Sequence, residues 1–463
     1  MASKQPSRRE FVKTAGAATL ATAAASISAP AIQKVKGANN VVLFGMIGTG
    51  GRGTYLLKHL RSIDSGRCIA VCDIDDKALK TGIEQAGTNP KGYKDYREML
   101  ARNDLDAVLI AVPLYLHYLV TRDALLAGKH VFCEKSLVFK AEEVHALRSL
   151  ANSRPRQTLQ VGLQRRYSTF YQTAKQMIEK GMLGTVTHVI AQWNRNPGWQ
   201  MKAVPTRQKE TNWRLFRQYS GGLTAELASH QIDVADWMFG SRPEFVVGVG
   251  GLDWMKDGRD VYDNIQLIYQ YPGKQKLIYT SISTNRHLAL FGGTRTEFGE
   301  CILGTEGTIE ITVGTDNEPT IGLWYYEPRP KNVTPAKTAK KEQVIAGATL
   351  VSTGAAAKPF PILLPKDQFT GRESFIGREL KFARRWLYSK GVMVPEERNP
   401  VDTELDSFFD CVRTGKRPLA DLEIGLADST AVILSNLAMD EGRRVYFSEI
   451  EKMGVGESKA QRT

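Results

Sequence analysis

No run of about 18 uninterrupted apolar residues occurs in the chain, which excludes a protein that crosses a membrane many times. Cysteine is scarce. The five residues, Cys68, Cys72, Cys133, Cys301 and Cys411, form no CxxC pair and no even framework. Cys68 and Cys72 fall on one face of an expected strand, roughly 13 Å apart at strand rise, which is too far to bridge. Buried thiols are therefore expected, with neither disulfides nor structural zinc. No internal repeat is visible. Negative charge is in deficit, with 49 Asp and Glu against 62 Lys and Arg, a net +13. The basic residues are scattered, with one denser stretch from Arg329 to Lys341, so a solvated basic surface is expected rather than a nucleic-acid groove. What remains is ordinary. The 463 residues are 42% apolar, 9% aromatic and 24% charged, which excludes a disordered chain, a collagen-like fibre and a coiled coil. The length suggests two or three folding units.

The N-terminus reads Ser7-Arg8-Arg9-Glu10-Phe11-Val12-Lys13, followed by a mildly apolar, Ala- and Thr-rich run from Thr14 to Ala29. A basic segment ahead of a weakly apolar one is the pattern of a secretory signal. The adjacent arginines resemble the twin-arginine export motif, with Ala29-Pro30-Ala31 as cleavage site and residues 1–31 as signal peptide. The resemblance implies twin-arginine machinery as partner, a periplasmic or otherwise exported product, and a cofactor loaded before export.

From Val41 short apolar strands alternate with helical stretches: strands at Val41–Ile47, Cys68–Asp73, Ala107–Val112, His130–Glu134 and Leu159–Gly162, with helices such as Arg52–Ser62 and His117–Ala127 between them. Alternation at this spacing predicts βαβ units and a parallel sheet. After Gly184 the texture changes to strands rich in β-branched and aromatic residues, at Thr185–Asn194, Glu244–Gly250, Asn264–Tyr271, Lys276–Thr284, Glu300–Leu303 and Thr308–Val313. The expected fold class is α/β: a dinucleotide-binding Rossmann domain over 40–162, then an α+β domain over 163–450 with a large, mostly antiparallel sheet. Arg329–Gln368 reads as a long surface loop, and Glu373–Tyr388, Leu405–Thr414 and Gly425–Met439 as helices.

Three constellations carry chemistry. Gly48-Thr49-Gly50-Gly51-Arg52-Gly53 is a GxGxxG between a strand and a helix, where glycines permit a tight turn, close approach of a pyrophosphate and close helix packing. Asp73, twenty residues past Gly53, stands where a carboxylate binds ribose hydroxyls and repels a 2′-phosphate. That favours NAD, while Arg52, near enough to pair with such a phosphate, keeps NADP open. The second constellation is Lys129-His130-Val131-Phe132-Cys133-Glu134-Lys135, which puts Lys135 at the crevice end of a strand. The third runs from Ser220 to Asp233. There Glu226, His230 and Asp233 share one face of an expected helix, compatible with acid/base chemistry or with surface ion pairing. No second His or Cys cluster completes a metal site, so none is expected.

In this order and spacing, the glycine turn, Glu134-Lys135 and the Gly-Gly–carboxylate–His–Asp helix resemble the glucose–fructose oxidoreductase/inositol dehydrogenase (Gfo/Idh/MocA) family over nearly all of Val41–Val445. The resemblance implies Lys135, His230 and Glu226 as catalytic residues. It implies Gly48, Gly50, Gly51, Arg52, Gly53, Asp73, Pro113, His117, Glu134 and Lys135 around the nucleotide. Ser136 stands where the family usually has Pro, and Glu226 where it has Asp. The stretches Gln164-Arg165-Arg166-Tyr167, Trp193-Asn194-Arg195-Asn196 and Asn212-Trp213-Arg214 resemble those of exported members acting on glycosides. Gln164, Arg166, Tyr167, Trp193, Asn194, Trp213, Arg214 and Asp233 are thus the expected carbohydrate contacts. The implied activity is hydride transfer between NAD and a secondary hydroxyl of a sugar, C3 of a pyranoside being the candidate carbon. A redox-neutral glycosidase working through a 3-keto intermediate and a non-catalytic sugar-binding sensor are the alternatives. A tightly bound nucleotide and a homo-oligomer, dimer or tetramer, complete the expectation.

Overall fold

The computed structural model describes residues 41–195, 200–203, 205–285, 298–312, 321–326, 359–363 and 398–453. The expected signal peptide, the basic stretch Arg329 to Lys341 and the expected helix Glu373–Tyr388 lie outside the described residues.

The first sheet has six parallel strands: β1 (Val42–Ile47), β2 (Gly66–Cys72), β3 (Lys91–Tyr93), β4 (Ala107–Ile110), β5 (His130–Glu134) and β6 (Leu159–Gly162), in the order β3-β2-β1-β4-β5-β6. β4 reads Ala-Val-Leu-Ile and is wholly buried, as a strand covered on both faces requires. Helices α1 (Gly51–Leu60), α2 (Asp76–Ala86), α3 (His117–Leu126) and α4 (Ala141–Asn152) supply the crossovers. Because the strand order reverses between β1 and β4, a crevice opens at the carboxyl ends of the strands. Gly48, Asp73, Pro113, Lys135 and Gln164 all follow strands of this sheet at that end. α5 (Thr169–Glu179) leads out of the sheet.

The second sheet has nine strands. They are β7 (Val186–Trp193), β8 (Phe245–Gly251), β9 (Asn264–Gln270), β10 (Lys276–Ile282), β11 (Phe298–Gly304), β12 (Gly307–Thr312), β13 (Ile321–Tyr326), β14 (Pro359–Leu363) and β15 (Val445–Tyr446), in the order β14-β13-β12-β11-β7-β10-β9-β8-β15. All neighbours are antiparallel except β7 and β10. β14 corrects the expectation of an uninterrupted loop over Arg329–Gln368. Its two prolines, Pro359 and Pro361, are tolerated because it is the sheet's edge strand.

Helix α6 (Ser229–Phe239) is continuous with a π-helical turn over Thr224–Ala228. α7 (Pro400–Thr414) returns to the first sheet, where Phe408 meets Phe132 at 5.8 Å and Phe409 meets Phe44 at 5.3 Å between ring centroids. α8 (Leu422–Glu441) packs against β6, α4, β8 and α6. Among the described residues α8 is the one helix long and apolar enough to cross a membrane, and 61% of its apolar window is buried in the fold. A helix apolar all round is the expected form of one enclosed between layers.

Candidate active site

The glycine turn meets the geometric demands on it. Gly48 has φ +87°, and a Cβ there would lie 2.7 Å from the Ala111 carbonyl oxygen. A Cβ on Gly53 would lie 1.9 Å from the Gly48 oxygen, so only glycine lets α1 approach β1 this closely. At Gly50 and Gly51 a Cβ would meet nothing within 4 Å. The first turn of α1 carries no side-chain cap and no acidic residue, which leaves its amides open to an anion. Asp73 braces this turn, its Oδ2 accepting from the Thr49 amide at 2.8 Å and its Oδ1 from the Asp75 amide at 2.9 Å. Ile74, next in the chain, is 76% exposed beside it. An open helix start, a braced carboxylate and an exposed apolar platform fit a dinucleotide's pyrophosphate, ribose and base.

Arg52 turns the other way. Its Nε donates to Glu134 Oε1 at 2.6 Å and its Nη2 to Gln164 Oε1 at 3.0 Å. It is therefore committed to the β5–β6 side of the crevice and not to a 2′-phosphate near Asp73. Glu134 and Gln164, expected at the nucleotide and the sugar, both hold this guanidinium. His117 also differs from expectation. It is buried, with Nδ1 2.7 Å from the Ser136 carbonyl and Nε2 2.9 Å from that of Val112. Two carbonyl acceptors require both ring nitrogens to donate. Burial alone would push the imidazole down, but the Cys133 thiol and these carbonyls hold it up, to about 9. Pro113 closes β4 at the crevice rim, its carbonyl accepting from the Leu116 amide.

Lys135 Nζ crosses to the π-helical turn, donating to the Ala225 carbonyl at 3.0 Å and that of Glu226 at 2.8 Å. In an α-helix those carbonyls would accept from the amides four residues on; the wider turn releases them. Burial pushes the Lys135 ammonium below its ordinary value, against the pull of Glu226, Glu134 and Asp428. The same turn swings Glu226 off the line expected with His230. Glu226 Oε2 instead accepts from Arg214 Nε at 2.7 Å. Burial would raise this carboxyl, but Arg214 and Lys135 hold it below its usual range. Asp233 faces Arg166, whose Nε and Nη2 reach it at 2.9 Å and 2.6 Å in a buried ion pair. The expected single face of Glu226, His230 and Asp233 is thus three separate environments.

His230 packs against Trp193 with ring centroids 5.6 Å apart, and among the described residues neither ring nitrogen has a hydrogen-bond partner. Burial, with the charges of Lys135, Arg165 and Arg52, pushes it well below its ordinary value, so the ring stays neutral. Trp193 stacks on Phe298 at 4.3 Å. Trp213 packs beside Leu114, Ala225 and Val432, with the Arg214 guanidinium 4.3 Å over its ring. Two expected sugar contacts do not reach the crevice. Tyr167 is core, its hydroxyl accepting from the Ala420 amide at 3.2 Å. Asn194 is fully buried, its Oδ1 accepting from the Ile282 amide at 3.1 Å. Asn194 completes backbone hydrogen bonding at the end of β10, and Tyr167 does so in the turn that leads into α8.

Two residues near the site escape the sequence pattern. Arg165 is buried in an ion pair with Glu300 and lies 5.7 Å from the Trp193 ring centroid; nothing in Arg165-Arg166 says which arginine takes which partner. Asp428 lies under the Lys135 segment, accepting from Ser136 Oγ at 2.8 Å. A carboxylate inside the apolar helix of Gly425–Met439 is its only sequence signal. Among the described residues no group of three His, Cys, Asp or Glu side chains could hold a metal ion.

A parallel sheet in this strand order, with an uncapped, glycine-rich helix start at its switch point, defines a Rossmann-type dinucleotide-binding protein. Residues 42–163 match the family model of the oxidoreductase family's NAD-binding Rossmann fold, and residues 171–310 that of the GFO/IDH/MocA C-terminal domain; the chain belongs to the Gfo/Idh/MocA oxidoreductase family. It is 30% identical over 240 residues to "Glycosyl hydrolase family 109 protein 2" of Shewanella sp. (strain ANA-3), a match over 47% of this chain and 52% of that protein. The chain spans about half the length of the curated relatives it matches. Its fold is similar to that of the aldose-aldose oxidoreductase from Caulobacter crescentus complexed with glycerol, with TM-score 0.64 and 20% identity over 88% of this chain and 99% of that one. It is likewise similar to scyllo-inositol dehydrogenase from Lactobacillus casei with bound NAD(H) and scyllo-inositol, with TM-score 0.61 and 18% identity over 88% and 99%.

Proposed function

We propose that the chain oxidises a secondary hydroxyl of a sugar or glycoside, C3 of a pyranoside being the candidate carbon, by hydride transfer to NAD. The observation that carries this reading is the combination of Lys135, tethered to two carbonyls, with a neutral His230 whose ring nitrogens have no protein partner among the described residues. His230 accepts the hydroxyl proton at a ring nitrogen. The carbonyls of Ala225 and Glu226 take two Lys135 N–H groups, and the third donates to the alkoxide as it develops. Glu226, ionised beside Arg214, balances that ammonium. Trp193 and Trp213 offer apolar surface to ring C–H groups. Bound at the glycine turn, a nicotinamide dinucleotide supplies the hydride acceptor, while the chain supplies position, field and proton movement. The inositol dehydrogenase with NAD(H) supports the redox class and cofactor.

The relative named as a glycosyl hydrolase favours a second reading. Oxidation at C3 acidifies the neighbouring C–H, the aglycone leaves, water adds, and the carbonyl is reduced again. A p-nitrophenyl glycoside separates the readings. Keto-sugar without nitrophenol is expected from the first and released nitrophenol from the second. Neither product, with the sugar still bound, would leave only a sensor.

The Arg8-Arg9 signal belongs to the same proposal: the folded chain is exported with its nucleotide. A Kd of about 1 nM, roughly −12 kcal/mol, is enough to retain it. Arg8→Lys with Arg9→Lys is expected to leave loaded protein in the cytoplasm; unchanged export would defeat the assignment. In this reading the chain is a homo-oligomer, the half-exposed Ile268 and Ile278 of the large sheet's outer face being covered by a second copy.

A further inference from the structure

Three carboxylates pull on the charge of Lys135, and two of them are already matched. Glu226 is paired with Arg214 and Glu134 with Arg52. The third, Asp428 on α8, has no ion-pair partner among the described residues. It is buried, and its Oδ1 has no hydrogen-bond partner. Its Oδ2 accepts from Ser136 Oγ at 2.8 Å, and the next residue of α8, Ser429, accepts from the Val138 amide at 3.1 Å. From the opposite side His117 holds the Ser136 carbonyl at 2.7 Å. The residues that follow Lys135 are thus clamped between α3 and α8.

We infer that Asp428 is a positioning residue for Lys135: through Ser136 it fixes the lysine segment, and through its own charge it sets how firmly Lys135 holds its third proton. The inference rests on Lys135 acting as read above. The groups facing Asp428 are Lys135 from the turn after β5, Asp233 from α6, Arg166 from the turn after β6 and Tyr269 from β9. Arg166 is engaged by Asp233, so the cation left to answer an ionised Asp428 is Lys135. Burial, and then the Asp233 charge, push the Asp428 carboxyl up to about 7. Its charge therefore changes near neutral pH. An ionised Asp428 favours the ammonium form of Lys135, and a protonated one releases it.

Asp428→Asn keeps an acceptor for Ser136 but removes the charge. In nucleotide-loaded protein it is expected to move the basic limb of the turnover–pH profile downward by about one unit. The midpoint for arylation of Lys135 by dinitrofluorobenzene, read by peptide mass spectrometry without any sugar substrate, should move equally. Asp428→Ala, which also strips Ser136 of its acceptor, should lower turnover at every pH with nucleotide still bound. A merely structural Asp428 would lower the melting temperature and leave both midpoints in place, which would overturn the inference. Lys135→Ala separates the two claims. Wild-type turnover in that variant would sink the catalytic role of Lys135, while the arylation midpoint in Asp428→Asn would still decide whether the two residues are coupled.

Discussion

The two walls of the crevice are held together over very different distances along the chain. On the nucleotide wall Asp73 reaches a partner 24 residues away, and Gly53 packs directly on the Gly48 carbonyl within the glycine turn. On the reacting wall Lys135 reaches across 91 residues to Glu226, and Ser136 across 292 to Asp428. The first wall is backbone geometry, specified by where a Cβ is forbidden. The second is electrostatic, specified by which buried charge finds which partner. The Cβ-forbidding contacts of the glycine turn involve no side chain of the reacting wall, so the nucleotide wall should survive the loss of Lys135 or His230.

That independence gives the largest expected effect. Lys135→Ala and His230→Ala should each reduce turnover by at least about 10²-fold, the scale of lost acid/base help, while nucleotide affinity stays within a few-fold of wild type. Rapid-quench turnover set beside nucleotide titration makes the comparison. Loss of nucleotide binding in either variant would show the walls to be one unit, and near-wild-type turnover would remove the residue from the chemistry.

The same contrast governs how much of the fold and site is legible in the amino-acid sequence. The parallel sheet, the glycine turn and Asp73 follow from apolar runs and glycine spacing, which are local signals. Lys135, Glu226 and His230 are legible through family resemblance, but their partners are not. A helical periodicity of 3.6 puts Glu226, His230 and Asp233 on one face; the π-helical turn at Thr224–Ala228 breaks that count, and no residue in it announces the extra width. Tyr167 and Asn194 are of types that suit a sugar, yet the same groups also satisfy buried backbone amides, and here they do. α7 covers the first sheet from the far end of the chain, a packing that strand–helix alternation does not encode.

His117 joins the walls, with one ring nitrogen on the Val112 carbonyl after β4 and the other on the Ser136 carbonyl beside Lys135. Its value in the fold stands at about 9 against 6.5 for an ordinary histidine. A raised value means that the folded state holds the proton more tightly. The stabilisation is therefore full below 6.5 and disappears as pH rises through about 9. Denaturant midpoints should fall between pH 6 and pH 10 more steeply in the wild type than in His117→Phe, whose remaining fall comes from buried carboxyls such as Asp428. Parallel curves would place the proton elsewhere and leave the two walls joined by packing alone.

The smallest effect concerns the nucleotide wall alone. Asp73 presents its carboxylate at the end of β2, where a 2′-phosphate would meet like charge, so a preference for NAD is expected. Arg52, the one residue of the turn able to reverse that preference, is engaged by Glu134 and Gln164 across the switch point. To reach a phosphate near Asp73 it would have to abandon both, and Glu134 would be left as a nearly buried charge without its guanidinium. The two residues should therefore respond differently. Asp73→Ser should narrow the NAD-to-NADP ratio of affinities by about tenfold, equivalent to about 1.4 kcal/mol, by removing repulsion and the ribose acceptor together. Arg52→Gln should lower affinity for both nucleotides and leave the ratio where it was. The nucleotide released on denaturing the purified protein, identified by mass, provides the independent check. If it is NADP, or if Arg52→Gln changes the ratio more than Asp73→Ser does, then Arg52 leaves its partners when the cofactor binds, and the nucleotide wall is not the self-contained unit its short-range hydrogen bonds describe.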